Sequence, residues 1–170
     1  MTRGGEGRTH WVIRDATVAD HPVVLSMNNA EVPAVNEPTP EEFAWLVKHA
    51  CYFRVAEDAA GVAGFVICLP SGVDYWSANY EWFTARHREF LYLDRVVVAP
   101  RAQGKGAGRA LYEDMHAFAK GRWPRITLEV NLRPPNPGSD AFHARMGYVA
   151  VGVREYDEGA NAVTMLERQM

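Results

Sequence analysis

The run Val96-Val97-Val98-Ala99-Pro100-Arg101-Ala102-Gln103-Gly104-Lys105-Gly106-Ala107-Gly108-Arg109-Ala110-Leu111 constrains the fold more than any other part of the chain. Its β-branched start suits a buried strand. Pro100 has no N–H to donate and ends that strand. Three glycines follow at alternate positions, and an amphipathic helix starts behind them, with Leu111, Met115 and Phe118 on one stripe. Backbone without Cβ atoms can approach an anion closely and turn its N–H groups toward it. The helix that follows adds unpaired N–H groups and the positive end of its dipole. A strand, a glycine loop and a helix N-terminus in this order predict a phosphate site; the structural alternative is a plain glycine-rich turn.

Two familiar phosphate patterns fail here. A P-loop needs Ser or Thr after Gly-Lys, and Gly106 follows Gly104-Lys105. The dinucleotide pattern needs a third glycine where Arg109 stands. A net charge of −3 gives no reason to expect nucleic acid or an anionic membrane as a partner. No apolar run is long enough to span a bilayer. The polar start Met1-Thr2-Arg3-Gly4-Gly5-Glu6-Gly7-Arg8 reads as a flexible tail over 1–9, without the apolar centre of a signal peptide. The remaining 10–170 are expected to form one domain. Two cysteines, Cys51 and Cys68, make no disulfide framework, so a reducing cytoplasm is expected. The six histidines show no ligand spacing, and no metal is expected.

Taken in order, His10–Arg14 reads as a strand and Thr17–Asp20 as a capping box for a helix reaching about Asn28. Two prolines and three asparagines make 28–38 a loop. Thr39-Pro40-Glu41-Glu42 starts a second helix. Cys51–Ala56 and Val62–Leu69 form a hairpin. The aromatic-rich stretch 74–90 reads as a loop with a short helix, before the strand Leu91–Val98. After the glycine-loop helix come a strand at Ile126–Val130, a short helix capped by Asn136 with Pro137 behind it, and closing strands at 148–153 and 163–166. The order is β-α-α-β-β-β-α-β-α-β-β: an α/β (α+β mixed) layer fold on a central mixed sheet of about seven strands, with about four helices.

Gln103-Gly104-Lys105-Gly106-Ala107-Gly108 fits Gln/Arg-x-x-Gly-x-Gly/Ala, and so resembles the pyrophosphate signature of the GCN5-related N-acetyltransferases, the GNAT superfamily. Asn136-Pro137-Gly138-Ser139-Asp140-Ala141-Phe142-His143 with Gly147-Tyr148 looks like the family's second signature. The resemblance covers residues 10–153 by element order and is nearest to a bacterial branch of predicted acetyltransferases. It implies a mostly antiparallel sheet, direct transfer of acetyl from acetyl-CoA to a primary amine of a small molecule or peptide, and acetyl-CoA lying where the fourth and fifth strands splay. The backbones of Val96 and Val98 would hold the pantetheine arm, and the N–H groups from Gln103 through Gly104, Lys105, Gly106 and Ala107 to Gly108 the pyrophosphate. Gly106 and Gly108 would most need a missing side chain. Arg101, Lys105 and Arg109 would add positive charge, or be ordinary surface cations. Asn136 belongs to the same acetyl-CoA site.

Acetyl transfer needs a proton acceptor for the amine, a donor for the developing oxyanion and a proton for the thiolate. Asp94 is the candidate base. Alternation places it with Tyr92 and Val96, and a carboxylate in a central strand is costly without partners. A salt bridge to Arg14 or a neighbouring arginine is the structural alternative, and Glu89, Glu129, His87 and His21 follow behind. The family's usual acid is a tyrosine. His143 stands at that position, either as the acid or as a histidine hydrogen-bonded to backbone. The acceptor site is expected from loop 28–38 and segment 73–90, with Asn28, Asn29, Glu31, Tyr75 and Trp76 lining it for a cationic amine. Many relatives pair through sheet edges, so a homodimer is compatible with the fold. A non-catalytic acyl-CoA sensor of the same fold is the rival from another class, and a nucleotide-phosphate binder of unrelated fold is the third reading.

Overall fold

In the computed structural model, which describes residues 9–170, the apolar runs become strands β1 (Val12–Asp15), β2 (Tyr52–Asp58), β3 (Gly61–Pro70), β4 (Leu91–Val98), β5 (Arg125–Arg133), β6 (Val149–Tyr156) and β7 (Asn161–Gln169). They form one sheet in the order β1-β2-β3-β4-β5-β7-β6. Every neighbouring pair is antiparallel except β4 and β5. The tail expected at the start lies, as residues 1–8, outside the described residues.

Five α-helices stand among the described residues: α1 (His21–Ala30), α2 (Pro40–His49), α3 (Ala78–Thr84), α4 (Ala107–Ala119) and α5 (Pro137–Arg145). The expected order leaves out α3, which is the short helix expected within 74–90. That helix is capped by Ser77, whose Oγ accepts from the Tyr80 N–H at 3.3 Å. Its seven residues carry too little periodicity to fix its bounds; Tyr80 and Phe83 hold it by packing beside Phe90 and Tyr92. The α2 start is as expected: Thr39 Oγ1 accepts from the Glu42 N–H at 3.1 Å and the Glu42 carboxylate accepts from the Thr39 N–H at 2.9 Å. Thr17 and Asp20 also form a capping box, but on a short 3-10 turn, Val18–Asp20, that precedes α1.

The helices cover both faces of the sheet. On one face Leu111, Tyr112, Met115 and Ala119 of α4 pack on Val66, Cys68, Leu93, Ile126 and Leu128. On the other, Val24 of α1 and Phe43 of α2 pack on Val55, Phe65, Ile67 and Val97, and α3 covers Tyr92 and Met165. Gly152 on β6 lets the Trp82 ring lie directly on the strand; a Cβ there would stand 2.5 Å from Trp82 Cζ2. The Arg86 guanidinium lies 3.4 Å from the ring centre. Gly152→Val should therefore displace Trp82 and cost about 1–3 kcal/mol, read as a Tm lowered by several degrees in thermal unfolding.

Candidate active site

The parallel ladder between β4 and β5 contains two pairs, Leu91 with Ile126 and Tyr92 with Thr127. Beyond it the strands diverge, and a cleft of about 1050 Å³ opens between Leu93–Val98 and Leu128–Asn131. A bulge bends a strand and disrupts its pairing, and β4 carries one just past its last bond to β5. Against β3, Leu93 pairs with Cys68 and Arg95 with Ile67, which leaves Asp94 without a partner.

The bulge corrects the alternation expected for Asp94. Val96 packs with Leu93 on the α4 face. Asp94 instead turns to the opposite face, with Tyr92, where the Tyr75 hydroxyl donates to its Oδ1. Its Oδ2 accepts from Arg95 Nε at 2.7 Å, and the two side chains are only 4% and 6% exposed. The candidate base is thus one half of a buried ion pair with the neighbouring arginine. Arg14 pairs elsewhere, with Asp20 and Glu57.

At one end of the cleft lies the glycine loop. Gly104 and Gly106 have φ of 71° and 88°, in the left-handed region, and a Cβ on either would meet no protein atom. Gly108 is different: its φ is helical, and a Cβ would make ordinary contacts with Val98 and Phe142 at 3.6 and 3.8 Å. The residues that need to be glycine are therefore Gly104 and Gly106, not Gly106 and Gly108. The Gln103 and Lys105 N–H groups are used within the turn, on Pro100 O and Ala102 O. The N–H groups opening α4, on Ala107, Gly108 and Arg109, have no carbonyl one turn back in the helix to bond. Trp11, the residue before β1, pins the loop, its Nε1–H donating to Lys105 O at 2.9 Å. Arg101 is held away by Asp58 and Gly61 O, and Arg109 pairs with Glu113.

Between the loop and the ladder, the Ala99 N–H donates to Ala63 O on β3. Alternation turns the backbone groups of Val96 and Val98 the other way, into the opening left by β5. The Val98 carbonyl there accepts from Gln103 Nε2 at 3.1 Å. Asn136 caps α5 through Ser139 N–H and lines the same end of the cleft. His143 is buried, with Nδ1 2.8 Å from Ser139 O and Nε2 2.7 Å from the Tyr112 hydroxyl. A carbonyl only accepts, so the ring proton sits on Nδ1 and Nε2 accepts from Tyr112. Burial lowers the His143 pKa, which keeps the ring neutral.

The other end is walled by Glu31 and Pro33–Asn36 on one side and by Tyr75, Ser77 and Asn79 on the other. Asn28 is not part of this lining. It is buried, its Nδ2 donating to Asn36 O and its Oδ1 accepting from Arg95. Asn29 bonds Glu37 outside the cleft, and Trp76 stands on the surface against Trp45 and Tyr75. Of the expected acceptor residues, Glu31 and Tyr75 face the opening.

Glu129 on β5 is the carboxylate that the cleft sets apart. Its oxygens accept from Tyr92 at 2.8 and 2.9 Å, and Oε1 also from Asn79 Nδ2 at 3.0 Å. Desolvation pushes its pKa up to about 7, with Asp94 adding to the rise and the Tyr92 and Asn79 hydrogen bonds and Arg154 opposing it. A carboxylate inside Ile126-Thr127-Leu128-Glu129-Val130 was visible in the sequence; the companions Asn79, Tyr112 and Tyr156 were not, because only the fold brings them to the cleft.

The chain belongs to the acetyltransferase (GNAT) family, whose profile matches residues 20–148. An uncharacterised N-acetyltransferase of Methanocaldococcus jannaschii is 32% identical over 107 residues, which cover 62% of this chain and 43% of the relative's length. The fold is similar to that of Ard1 from Thermoplasma volcanium, with a TM-score of 0.75 at 18% identity over 94% of this chain and 97% of that one. It is likewise similar to the ribosomal-protein-S18-alanine N-acetyltransferase of Escherichia coli, with a TM-score of 0.71 at 16% identity over 94% of each chain. Among the described residues no cluster of His, Cys, Asp and Glu is placed to hold a metal ion, and no helix is long and apolar enough to cross a membrane.

Proposed function

We propose that this protein is an N-acetyltransferase that moves an acetyl group directly from acetyl-CoA to a primary amine of a small molecule or peptide. The observation that carries the reading is a single cleft with an anion-binding glycine loop at one end and a carboxyl of pKa about 7 at the other. The β4 backbone between them faces the opening.

Acetyl-CoA supplies the acetyl thioester. The N–H groups of Gly106, Ala107 and Gly108 suit its pyrophosphate, and the Val96 N–H faces the region where negative charge develops on the carbonyl oxygen. We assign the base to Glu129 rather than Asp94, because Asp94 is committed to Arg95 and Tyr75. Glu129 takes the proton an ammonium must lose before it can attack. For the thiolate, neither side chain has a proton aimed at the cleft: the His143 Nδ1–H is on Ser139 O and the Tyr112 O–H is on His143 Nε2, so the thiolate leaves as such and takes its proton from water. Tyr112→Phe should therefore leave kcat within about threefold of wild type, well short of the loss expected from removing a general acid; steady-state thiol release measures it. Glu31 and the hydroxyls of Tyr75 and Tyr156 at the acceptor end suit a cationic amine. The free thiols of Cys51 and Cys68 are consistent with a reducing cytoplasm. Exposed Val149, Val151 and Val153 on the edge strand β6 offer a surface for a homodimer.

The test is thiol release from acetyl-CoA against methylamine, alaninamide, lysine amide, spermidine and tyramine, with mass detection of the acetylated amine. Release with matching product from at least one amine is expected. Binding of acetyl-CoA without release from any of them contradicts catalysis and favours the sensor.

A further inference from the structure

Arg95 occupies an unusual place. The bulge at Asp94 sends two consecutive side chains, one acidic and one basic, to the same face of β4. A buried ion pair is worth keeping only when its remaining donors are also satisfied. Arg95 Nε meets Asp94 at 2.7 Å, Nη1 meets Asn28 Oδ1 at 3.2 Å, and Nη2 meets Asn36 Oδ1 at 3.1 Å. Asn28 adds a bond from Nδ2 to Asn36 O at 3.0 Å.

Those partners are the supports of the acceptor end. Glu31 and Pro33–Asn36 form one wall of the cleft, yet Val32, Pro33, Ala34, Asn36 and Glu37 are exposed and bury little of their own surface. Their attachment runs through Asn28, Asn36 and the buried Pro38, with Asn29 Nδ2 donating to Glu37 at 3.3 Å. The opposite wall is reached through the same pair, because the Tyr75 hydroxyl donates to the other oxygen of Asp94. The chain Asn36–Arg95–Asp94–Tyr75 thus spans the cleft beneath both walls.

We propose that Arg95 is a positioning residue for acceptor selectivity: its guanidinium fixes segment 31–36 and, through Asp94, Tyr75 at one spacing, and so sets which amines the cleft accepts. The inference rests on the acetyltransferase reading and deepens it. Arg95 does not touch the reacting atoms. Lysine cannot replace it, since one ammonium cannot serve Asp94, Asn28 and Asn36 in the planar arrangement that arginine provides.

Arg95→Lys and Asn28→Ala test this with the same amine panel. Asn28 lies outside the cleft and leaves the ion pair in place, so it reports on the wall even where Arg95→Lys unfolds. Methylamine is too small to span the walls and serves as the internal reference. For both variants kcat/KM with methylamine and the Kd for acetyl-CoA should stay within about twofold of wild type. The ratio of kcat/KM for the best panel amine to that for methylamine should fall about tenfold, the size of effect expected from losing hydrogen bonds to a charged group. An unchanged ratio in a folded variant, or a parallel fall for every amine, overturns the selectivity role. A wild-type protein that releases no thiol with any amine overturns the reading beneath it instead.

Discussion

Glu129→Gln should lower kcat by about 100-fold while leaving the Kd for acetyl-CoA unchanged, because general-base catalysis contributes a factor of that order. Glutamine keeps the shape and can still accept from Tyr92 and Asn79, but it cannot take a proton. The pH profile gives the sharper reading. The wild-type carboxyl titrates at about 7, so kcat/KM should rise with pH through that value, and the rise should vanish in the variant. Stability should move the opposite way. An acid whose folded pKa lies above its unfolded value holds its proton more tightly in the folded chain. It therefore costs stability as pH climbs from the unfolded value of 4.5 through about 7. Glu129→Gln removes that cost and should stabilise the protein at pH 8 by about 1 kcal/mol, a modest gain because the group faces an open cleft. A variant that is both slower and more stable is what a functional group held under strain predicts; one that is slower and less stable would point to a purely structural carboxylate.

Gly106→Val should raise the Kd for acetyl-CoA by at least about tenfold. Gly106 sits at φ 88°, where a β-branched residue is strained by about 1–2 kcal/mol, and 1.4 kcal/mol is already a factor of ten. The added methyls would also project into open space beside the start of α4, since Gly106 is its N-cap and a Cβ there meets no protein atom. Gly108→Ala is the matched control. Its Cβ would make ordinary contacts with Val98 and Phe142, so calorimetry should find acetyl-CoA affinity within about threefold of wild type.

Features written in local sequence were legible in advance. The Thr39-Pro40-Glu41-Glu42 helix start, the Asn136 cap and the strand–glycine loop–helix all depend on near neighbours, and the structure places them where the residues imply. Features made by tertiary contact were not. The stretch 74–90 implies a short helix, but the place of α3 within it depends on Tyr80 and Phe83 finding Phe90 and Tyr92. Asp94 lies with Tyr92 as alternation implies, but its parting from Val96 and the turn of Arg95 to the same face depend on a bulge against β3, which alternation along β4 cannot reveal. For the same reason Asn28 looked like a substrate group when it is a buried support for Arg95, and Gly108 looked obligatory when its backbone is ordinary helix. Glu129 lay between the two cases. Its isolation in an apolar strand was visible, but its rank over Asp94 comes from Arg95 claiming the one and the cleft leaving the other without a cation in contact.

Calorimetric titration with acetyl-CoA, run side by side on wild type and Gly106→Val, tests most directly whether the cleft between β4 and β5 is an acetyl-CoA site. One saturable site per chain, weakened at least about tenfold by the substitution, is the predicted result. Absence of binding to wild type, or equal binding to both proteins, would contradict the assignment of the glycine loop and with it the proposed acetyl transfer.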